Sequence, residues 1–541
     1  MIAKDDIRDV LIIGSGATGA INAKVLAEAG LDVICLEQGG WIERKEFVHT
    51  HSDWGWERNS SWNPDVNARS HPDDYPVDSD ASKVLMWNGV GGSTNVYGAI
   101  WPRYRPSDFR KGDEHGLQPN WPISYEDLAP FYERVDRLLG TSGLNGDPAM
   151  PPRPACPTGP LPFTPAAQRL SKAFDKLGWH WWPAEAGVIS EDYDGRPGCN
   201  GCGLCNGCPR GSMTLYSQSV WPKALAAGAE LKTHARVLRI ETGPDGRATG
   251  VVWKNRITGA LERTRARVVI VAANGVGTPR LLLASGIGNS SGMVGRNLLH
   301  HTLVGAQMWV DEPVNGHMGY VASMFSRQFA ETDVSRGFVN GFNFNCLTST
   351  PSAGEMTAGW HTGTRAPWGK GHHDWFERHF GHSIGLFAIG DDLPNPENRV
   401  FLDDKVVDED GVPIARMHYE PGENDRRMMN YMLDRLEDIG AAAGAYEIAL
   451  TDYRDKDGIY RTPAWHMIGT CRMGDAPEAS VVNSWQQSWD VPNMFIVDGS
   501  VLPTGGVVNP TPTISAMALR AAEYVRDSFA ELSATTRTEA A

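Results

Sequence analysis

The feature that most constrains the fold is a glycine-rich turn near the N-terminus. The run Val10–Ile13 is short, rich in β-branched residues and ended by glycine, which is typical of a central strand buried on both faces. Gly14, Gly16 and Gly19 follow with the spacing G-x-G-x-x-G. Without side chains at these positions, the chain can turn tightly and a diphosphate can approach the backbone at a helix N-terminus.

The segments that follow complete a dinucleotide-binding unit. Residues 20–29 predict a helix, residues 31–36 predict a second strand, and Glu37 ends that strand. A carboxylate at this place can accept both hydroxyls of an adenosine ribose. Because strand, turn, helix, strand and acid occur in order, we favour this interpretation over a plain turn. We predict an α/β fold with a Rossmann-like domain that binds an ADP-containing dinucleotide, with Ala17 and Thr18 of the turn among its contacts.

The composition limits the classes of partner. A chain of 541 residues that is 41% hydrophobic exceeds one ordinary domain. The net charge of -15 argues against nucleic acid partners, and no apolar run approaches the roughly 20 residues that cross a bilayer. The N-terminus carries no basic and apolar leader. We therefore expect a cytoplasmic protein without direct membrane insertion, or a periplasmic one if a signal-bearing partner exports it.

A second glycine-rich stretch predicts another contact with the cofactor. It contains Gly91 and Gly92, where backbone can touch a ligand, and the short polar residues Ser93 and Asn95. The polar and aromatic residues 41–80 before it predict a long loop over the cofactor. From 301 to 460 the sequence changes to alternating strands and one helix, which indicates a separate domain.

Four of the eight cysteines fall at a repeated C-x-x-C spacing, and the last precedes proline. They are Cys199, Cys202, Cys205 and Cys208. The run is much like a ferredoxin-type set of ligands. Zinc sites usually divide their ligands between two distant pairs, and cysteines this close form disulfides only with local strain. An iron-sulfur cluster, a knot of structural thiols or disulfides, and zinc all stay open as interpretations.

The two glycine-rich stretches and several later segments resemble the glucose-methanol-choline (GMC) family of FAD-dependent oxidoreductases. Further matching segments are 268–283, 294–298, the H-x-x-G-T-C-R-M-G motif from His466, and 493–513. The resemblance implies an FAD-binding domain of residues 1–300 and 461–541, and a substrate domain of residues 301–460 with an antiparallel β-sheet. Some members bind FAD covalently through a histidine that matches Val96, so the resemblance implies non-covalent FAD here.

The resemblance also assigns residues to the site. His466 matches the catalytic histidine, and Asn509 matches a second position that is histidine or asparagine in the family. Imidazole can take the proton of an alcohol hydroxyl as hydride leaves the carbon, whereas an amide cannot, so we expect His466 to be the base and Asn509 to orient the oxygen. The positions expected to lie along the cofactor are Val237, Ala273, Asp498, Gly499, Pro510 and Thr511.

The segment 190–213 resembles the cysteine-rich insert in the large subunits of fructose, glucose and gluconate-type dehydrogenases. That resemblance implies an iron-sulfur cluster on the four cysteines, although the spacing differs: only two residues separate the last two cysteines here. It also implies a small partner subunit and a cytochrome acceptor.

We therefore predict an FAD-dependent dehydrogenase that oxidises a hydroxyl of a sugar-like or glycoside-like alcohol. Hydride would pass to flavin N5, and electrons would leave through the cluster. The alternatives are an oxygen-dependent alcohol oxidase with structural cysteines and a flavin-binding subunit without catalysis.

Overall fold

The computed structural model describes residues 7–43, 77–79, 84–203, 205, 207–347, 367–462 and 464–534. Most of the loop predicted at 41–80 lies outside the described residues, so its place over the cofactor stays a prediction.

Strands make up three separate sheets. In chain order they are β1 Ile7–Ile13, β2 Val33–Leu36, β3 Val77–Ser79, β4 Trp182–Pro183, β5 Glu230–Lys232, β6 Ala235–Thr242, β7 Ala248–Asn255, β8 Leu261–Val271, β9 Thr302–Trp309, β10 Ala322–Phe329, β11 Phe342–Leu347, β12 Ser383–Gly390, β13 Arg399–Val407, β14 Pro413–His418, β15 Glu447–Asp452 and β16 Met494–Ile496.

Helices connect these strands and cover the sheets. They are α1 Ala17–Glu28, α2 Lys111–His115, α3 Tyr125–Leu139, α4 Pro165–Leu177, α5 Tyr216–Ser219, α6 Trp221–Ala226, α7 Asn274–Ser285, α8 His372–His379, α9 Glu423–Ala443, α10 Thr511–Asp527 and α11 Phe529–Leu532. Short 3₁₀ turns cover Gly92–Asn95, Pro106–Phe109, Val334–Arg336 and Gly499–Val501. No helix among the described residues is long and apolar enough to cross a bilayer.

The first sheet confirms the Rossmann-like prediction. Its strand order is β5-β2-β1-β8-β7-β6, and β16 pairs with β8. The pairs of β1 with β2 and β8 are parallel, and so are those of β2 with β5 and of β8 with β16. Parallel strands need crossovers that cover both faces, which explains why Val10–Ile13 is an unbroken apolar run that is fully buried.

The second sheet confirms the predicted antiparallel sheet. Its order is β15-β9-β12-β11-β10-β4, and every pair is antiparallel. One face packs against α9, whose Met428, Met432 and Leu436 share an apolar core with side chains of the sheet. All its strands except β4 come from residues 301–460. The domain limits at 300/301 and 460/461 themselves stay a prediction.

A third, small sheet joins these two parts. It has the order β13-β14-β3 and lies beside α7. Arg280 of α7 donates to the Asp408 carboxylate at 2.7 Å, and that carboxylate is fully buried. The helix that follows β8 is therefore tied to this small sheet.

Candidate active site

The predicted diphosphate turn has little room for side chains. Gly14 has φ +97°, and a Cβ built on it would lie 2.5 Å from the carbonyl oxygen of Ala272. A Cβ on Gly19 would lie 2.0 Å from the carbonyl oxygen of Gly14. Because non-bonded atoms do not approach so closely, the turn between β1 and α1 requires glycine at both positions.

The N-terminus of α1 can receive an anion. Gly16 occupies the cap position and has no side chain to bond the first amides, and the first turn, which contains Ala17 and Thr18, carries no acidic residue. The amide groups at a helix N-terminus and the helix dipole favour negative charge. This end of α1 therefore fits a cofactor diphosphate.

Glu37 lies at the end of β2, beside the turn. Its buried carboxylate accepts from the Ser15 amide at 2.9 Å, from the Ser15 hydroxyl at 2.6 Å and from the Gly39 amide at 2.9 Å. A carboxylate has about four acceptor sites, so a ribose hydroxyl can still bond. The Ala235 amide donates to the backbone oxygen of Glu37 at 2.8 Å, which brings β6 and its Val237 to the same end of the fold.

The second glycine stretch contacts the first. The amide of Gly91 donates to the Ser15 carbonyl at 3.0 Å, and a Cβ on Gly92 would lie 2.9 Å from the Cα of Gly16. Gly91 and Gly92 have φ of +92° and +55°, a region that favours glycine. The structure thus brings together the two turns that the sequence predicted at the cofactor.

Ser93 and Asn95 use their side chains within this loop. The Ser93 hydroxyl accepts from the Trp87 amide at 3.2 Å. Asn95 is fully buried; its amide donates to the Val90 carbonyl at 2.9 Å and its oxygen accepts from the Ser217 hydroxyl at 2.8 Å. Both residues stabilise the loop, and their contact with a cofactor stays a prediction.

Asp498 follows β16 and ties it to the start of α7. Its carboxylate accepts from the Asn274 amide at 3.0 Å, from the Thr278 hydroxyl at 2.5 Å and from the Ser500 amide at 2.9 Å. Burial raises the pKa of Asp498 above its ordinary value. The neighbouring Ala273 is the cap residue of α7, so its backbone is held by the same network. These bonds support the site, and direct contact of Asp498 with a cofactor stays a prediction.

Gly499 and the start of α10 lie beside the histidine motif. The Gly469 amide donates to the carbonyl oxygen of Gly499 at 3.2 Å. Pro510 caps α10, which begins at Thr511 and has no acidic residue in its first turn. The first turn of α10, like that of α1, therefore has no acidic residue, and Asn509 lies directly before its cap residue.

These features together fit an FAD molecule. The diphosphate and ribose of FAD bind to groups of the kinds found here: open helix N-termini, glycine turns without space for a Cβ, and a buried carboxylate at a strand end. The Asn509 oxygen adds a buried polar atom with no hydrogen-bond partner among the described residues.

His466 and Asn509 are brought together as the sequence predicted. The Asn509 amide nitrogen lies 3.2 Å from Nε2 of His466. Burial holds the pKa of His466 well below its ordinary value, and the neighbouring His301 and His300 lower it further. A neutral imidazole with an amide at its Nε2 can act as a proton acceptor at this point.

A further member of this group, His301, was not predicted from the sequence. Its Nδ1 lies 2.9 Å from Nδ1 of His466, and the two rings meet edge to face. The available signal was the pair His300-His301, which lies one residue after the family segment 294–298. The backbone of His301 is in the left-handed region with φ +66°, which costs a residue other than glycine about 1–2 kcal/mol.

The four clustered cysteines line a cavity that includes none of these histidines. Cys199, Cys202, Cys205 and Cys208 line one small cavity together with Arg210, and all four are free thiols. Burial raises the pKa of the thiols of Cys199 and Cys205. Within the described ranges, no three His, Cys, Asp or Glu side chains are grouped so that they could hold a metal ion.

Comparison with known proteins identifies the family. Residues 8–303 match the N-terminal and residues 394–518 the C-terminal model of the GMC oxidoreductases. The chain is 44% identical to 2-methyl-1,2-propanediol dehydrogenase from Mycolicibacterium austroafricanum, over 98% of this chain and 97% of that protein. It is 30% identical to the fructose dehydrogenase large subunit from Gluconobacter japonicus, over 96% and 97% of the two chains.

A solved structure shares the fold at low sequence identity. Pyridoxine 4-oxidase from Mesorbium loti aligns with a TM-score of 0.66 and 18% identity, covering 96% of this chain and 99% of that one. With the glycine turns, the two sheets and the His466–Asn509 pair in place, the chain belongs to the GMC oxidoreductases, FAD-dependent enzymes that act on alcohols.

Proposed function

We propose that this protein is a dehydrogenase that oxidises one hydroxyl of a diol, polyol or sugar, with His466 as the base. The observation that carries the proposal is the half-buried His466–Asn509 pair at the N-terminus of α10, with 3.2 Å between Nε2 and the amide nitrogen. Relatives named as a diol dehydrogenase and a fructose dehydrogenase support the substrate class.

The residues that would hold non-covalent FAD are those of the two glycine turns, Glu37 and the N-termini of α1 and α10. When bound, the flavin supplies a hydride acceptor. Val96, which follows the Gly92–Asn95 turn, has no nucleophilic side chain that could bond the flavin. FAD would therefore be held by non-covalent contacts alone.

His466 and Asn509 divide the work at the hydroxyl group. The hydroxyl proton passes to Nε2 of His466 as the C–H bond breaks, which makes proton removal and hydride departure mutually dependent. Asn509 has a donor beside that nitrogen and an acceptor with no partner among the described residues. It can orient the substrate oxygen but cannot take the proton.

Asn343 and Asn345 on β11 support a substrate with several hydroxyls. Both residues are only 1% exposed, and none of their four amide nitrogen and oxygen atoms has a hydrogen-bond partner in the described part of the chain. Leaving a buried polar group unpaired costs about 1–3 kcal/mol. Hydroxyl groups of a ligand both donate and accept, so a polyol would satisfy these amides.

The strand register supports a role of this pair of amides at the proposed site. Asn345 lies opposite Phe325 of β10, and Phe325 packs in one apolar cluster with Trp87 and Ala99, which flank the Gly91–Gly92 turn. Asn343 shares a row with Leu303 of β9, two residues beyond His301. At about 3.4 Å per residue, that row lies about 7 Å along the strand from His301.

The test is anaerobic reduction of the FAD-loaded protein by 2-methyl-1,2-propanediol, fructose and a simple monoalcohol. We expect the diol or the sugar to bleach the flavin absorbance fastest, and H466A to slow this step by about 10²–10⁴-fold. Equal rates for wild type and H466A would contradict the role of His466. The reduced flavin should then transfer electrons to an artificial acceptor faster than to oxygen, whereas rapid peroxide formation would identify an oxidase instead.

The four clustered cysteines would hold an iron-sulfur cluster, which would supply a one-electron relay. Two observations support this assignment. The four thiols surround one cavity, as ligands of a polynuclear cluster do, whereas a zinc ion would need them to converge at about 2.3 Å. Cys199, Cys205 and Cys208 also pack in the apolar cluster that contains Trp87 and Ala99, so the cavity lies close to the proposed flavin site.

Iron and acid-labile sulfide per flavin, measured after anaerobic purification, test the cluster. We expect several iron atoms per flavin in wild type and a large loss in C205S, with flavin content unchanged. Near-zero iron in wild type would leave the cysteines as structural thiols. Because a relative is named as a large subunit, we also propose a small partner subunit and a cytochrome acceptor, which co-purification from the native host would reveal.

A further inference from the structure

We propose that His301 is a positioning residue that fixes the tautomer of His466 and accepts a hydrogen bond from it throughout proton transfer. The inference rests on the proposed role of His466 as the base. It assigns to His301 no contact with the substrate and no change of its own protonation state.

Two backbone carbonyls determine which nitrogen of His301 carries the proton. Nε2 of His301 lies 3.0 Å from the carbonyl oxygen of Gly505 and 3.0 Å from that of Gly506. Carbonyl oxygens only accept hydrogen bonds, so Nε2 must carry a proton. In a neutral imidazole the other nitrogen then has a lone pair, and Nδ1 of His301 is therefore an acceptor.

The lone pair on Nδ1 of His301 determines which nitrogen of His466 carries the proton. The two Nδ1 atoms are 2.9 Å apart, and a hydrogen bond between them needs one proton. Since Nδ1 of His301 accepts, Nδ1 of His466 donates, and Nε2 of neutral His466 is left without a proton. The Asn509 amide, 3.2 Å from Nε2, is a donor that matches this lone pair. Two backbone carbonyls thus decide, through His301, which nitrogen of His466 can serve as the base.

The backbone of His301 is fixed in an unusual conformation. The Asp392 carboxylate accepts from the amides of His300 and His301, each at 3.1 Å, and from the Tyr419 hydroxyl at 2.7 Å. These bonds hold the left-handed φ of +66° at His301. Such backbone strain is typical of functional sites, where the orientation of a side chain is part of the mechanism.

Burial favours the neutral form of His301. Burial lowers the pKa of His301, and this effect outweighs the opposing effect of the Asp392 carboxylate and that of Asp108. The other titratable groups that face it are His466, His300, the buried Asp391, Tyr104 and Tyr460. Burial lowers the pKa of His300 to about 4 and raises those of the acid or phenol groups of Asp391, Tyr104 and Tyr460. Burial thus disfavours the charged form of each of these four groups.

The proton balance of the step is simple. The O–H bond of the substrate breaks, and its proton forms a bond with Nε2 of His466, which becomes an imidazolium. Its Nδ1–H continues to donate to Nδ1 of His301, so the new charge has a fixed acceptor instead of a reorganising solvent. The hydride that leaves the carbon requires the flavin of the proposed function.

Two variants of His301 separate its two nitrogens. In H301N the side-chain oxygen occupies the place of Nδ1 and can still accept from His466. In H301Q the amide reaches the place of Nε2 and can bond the carbonyls of Gly505 and Gly506, but the acceptor for His466 is lost. Both variants keep a polar side chain at the same position, so they serve as matched controls for folding and flavin content.

The experiment measures anaerobic flavin reduction by 2-methyl-1,2-propanediol and the ¹⁵N NMR signals of histidine-labelled protein, with H466A used for assignment. We expect H301Q to reduce its flavin about 10²-fold more slowly, and H301N to stay within about tenfold of wild type. The spectrum should show His466 protonated only at Nδ1 in wild type and H301N, and a mixture of tautomers in H301Q, with or without flavin.

The outcomes are distinguishable. If H301Q reduces its flavin at the wild-type rate while H466A is slow, or if His466 is protonated at Nε2 in wild type, the role of His301 is wrong and the proposed function stands. If H466A is as fast as wild type, the proposed function itself fails, while the ¹⁵N signals still report whether His301 fixes the tautomer.

Discussion

The histidine site and the cysteine site differ in how well the protein alone orients their side chains. At the first, His466 has defined partners at both ring nitrogens, Asn509 at 3.2 Å and His301 at 2.9 Å. At the second, the four thiols of Cys199–Cys208 surround a cavity without grouping into a set that could bind one ion. Proton transfer needs donor and acceptor groups that are already oriented in the protein. An iron-sulfur cluster, in contrast, forms metal–thiolate bonds when it binds, and these bonds order its ligands. We therefore expect substitutions at the histidine site to slow flavin reduction without loss of iron. Substitutions at the cysteine site should lower the iron content without slowing flavin reduction.

The largest effect is expected from H466A. Removing the base should slow flavin reduction by about 10²–10⁴-fold, because general base catalysis contributes that much. The measurement is anaerobic stopped-flow absorbance of the flavin. Iron content should equal that of wild type, and a parallel loss of iron would show that the two sites are not independent.

The converse variant is C205S. We expect loss of iron and at least about tenfold slower electron transfer to an external acceptor, while flavin reduction by alcohol is unchanged. C156S is the matched control, since Cys156 is a free thiol outside the cavity. If C205S retained wild-type iron and acceptor rates, the thiols would have no part in electron transfer.

N343L tests the proposed polyol contacts. Because loss of one neutral hydrogen bond costs about 0.5–1.5 kcal/mol, we expect the KM for a polyol to rise by up to about tenfold. The KM for a monoalcohol should be unchanged, which makes the monoalcohol the control substrate. An equal rise for both substrates would mean that the substitution disturbs the site as a whole.

The smallest effect is expected from pH. The pKa of His466 lies well below its ordinary value, and the neutral form, which is the base, is present above that pKa. The rate of flavin reduction should therefore vary less than about twofold between pH 6.5 and 8, and should fall only as the pH drops further through the lowered pKa. A tenfold rise between pH 6 and 7 in wild type would contradict a His466 that is neutral throughout this range.

The parts of the fold that the sequence predicted are those with a local cause. Gly14 and Gly19 predict the turn because a Cβ at these positions would lie only 2.5 and 2.0 Å, respectively, from a backbone carbonyl oxygen. Apolar runs such as Val10–Ile13 predict buried strands, and His466 belongs to a motif that is contiguous in the chain. Ser93, Asn95 and Asp498 were predicted as cofactor contacts; their side chains bond to the protein itself, and the contact with a cofactor stays a prediction.

The sequence alone thus determined the family, the dinucleotide fold and the identity of the proposed base, because each depends on residues that are neighbours or follow a fixed spacing. Only the tertiary structure decided that His301 contacts a histidine 165 residues away, and that Asn343 and Asn345 leave their amides unpaired among the described residues. Such contacts depend on strand register and on how the two sheets pack. Many distant side chains determine these together, and no local pattern encodes them.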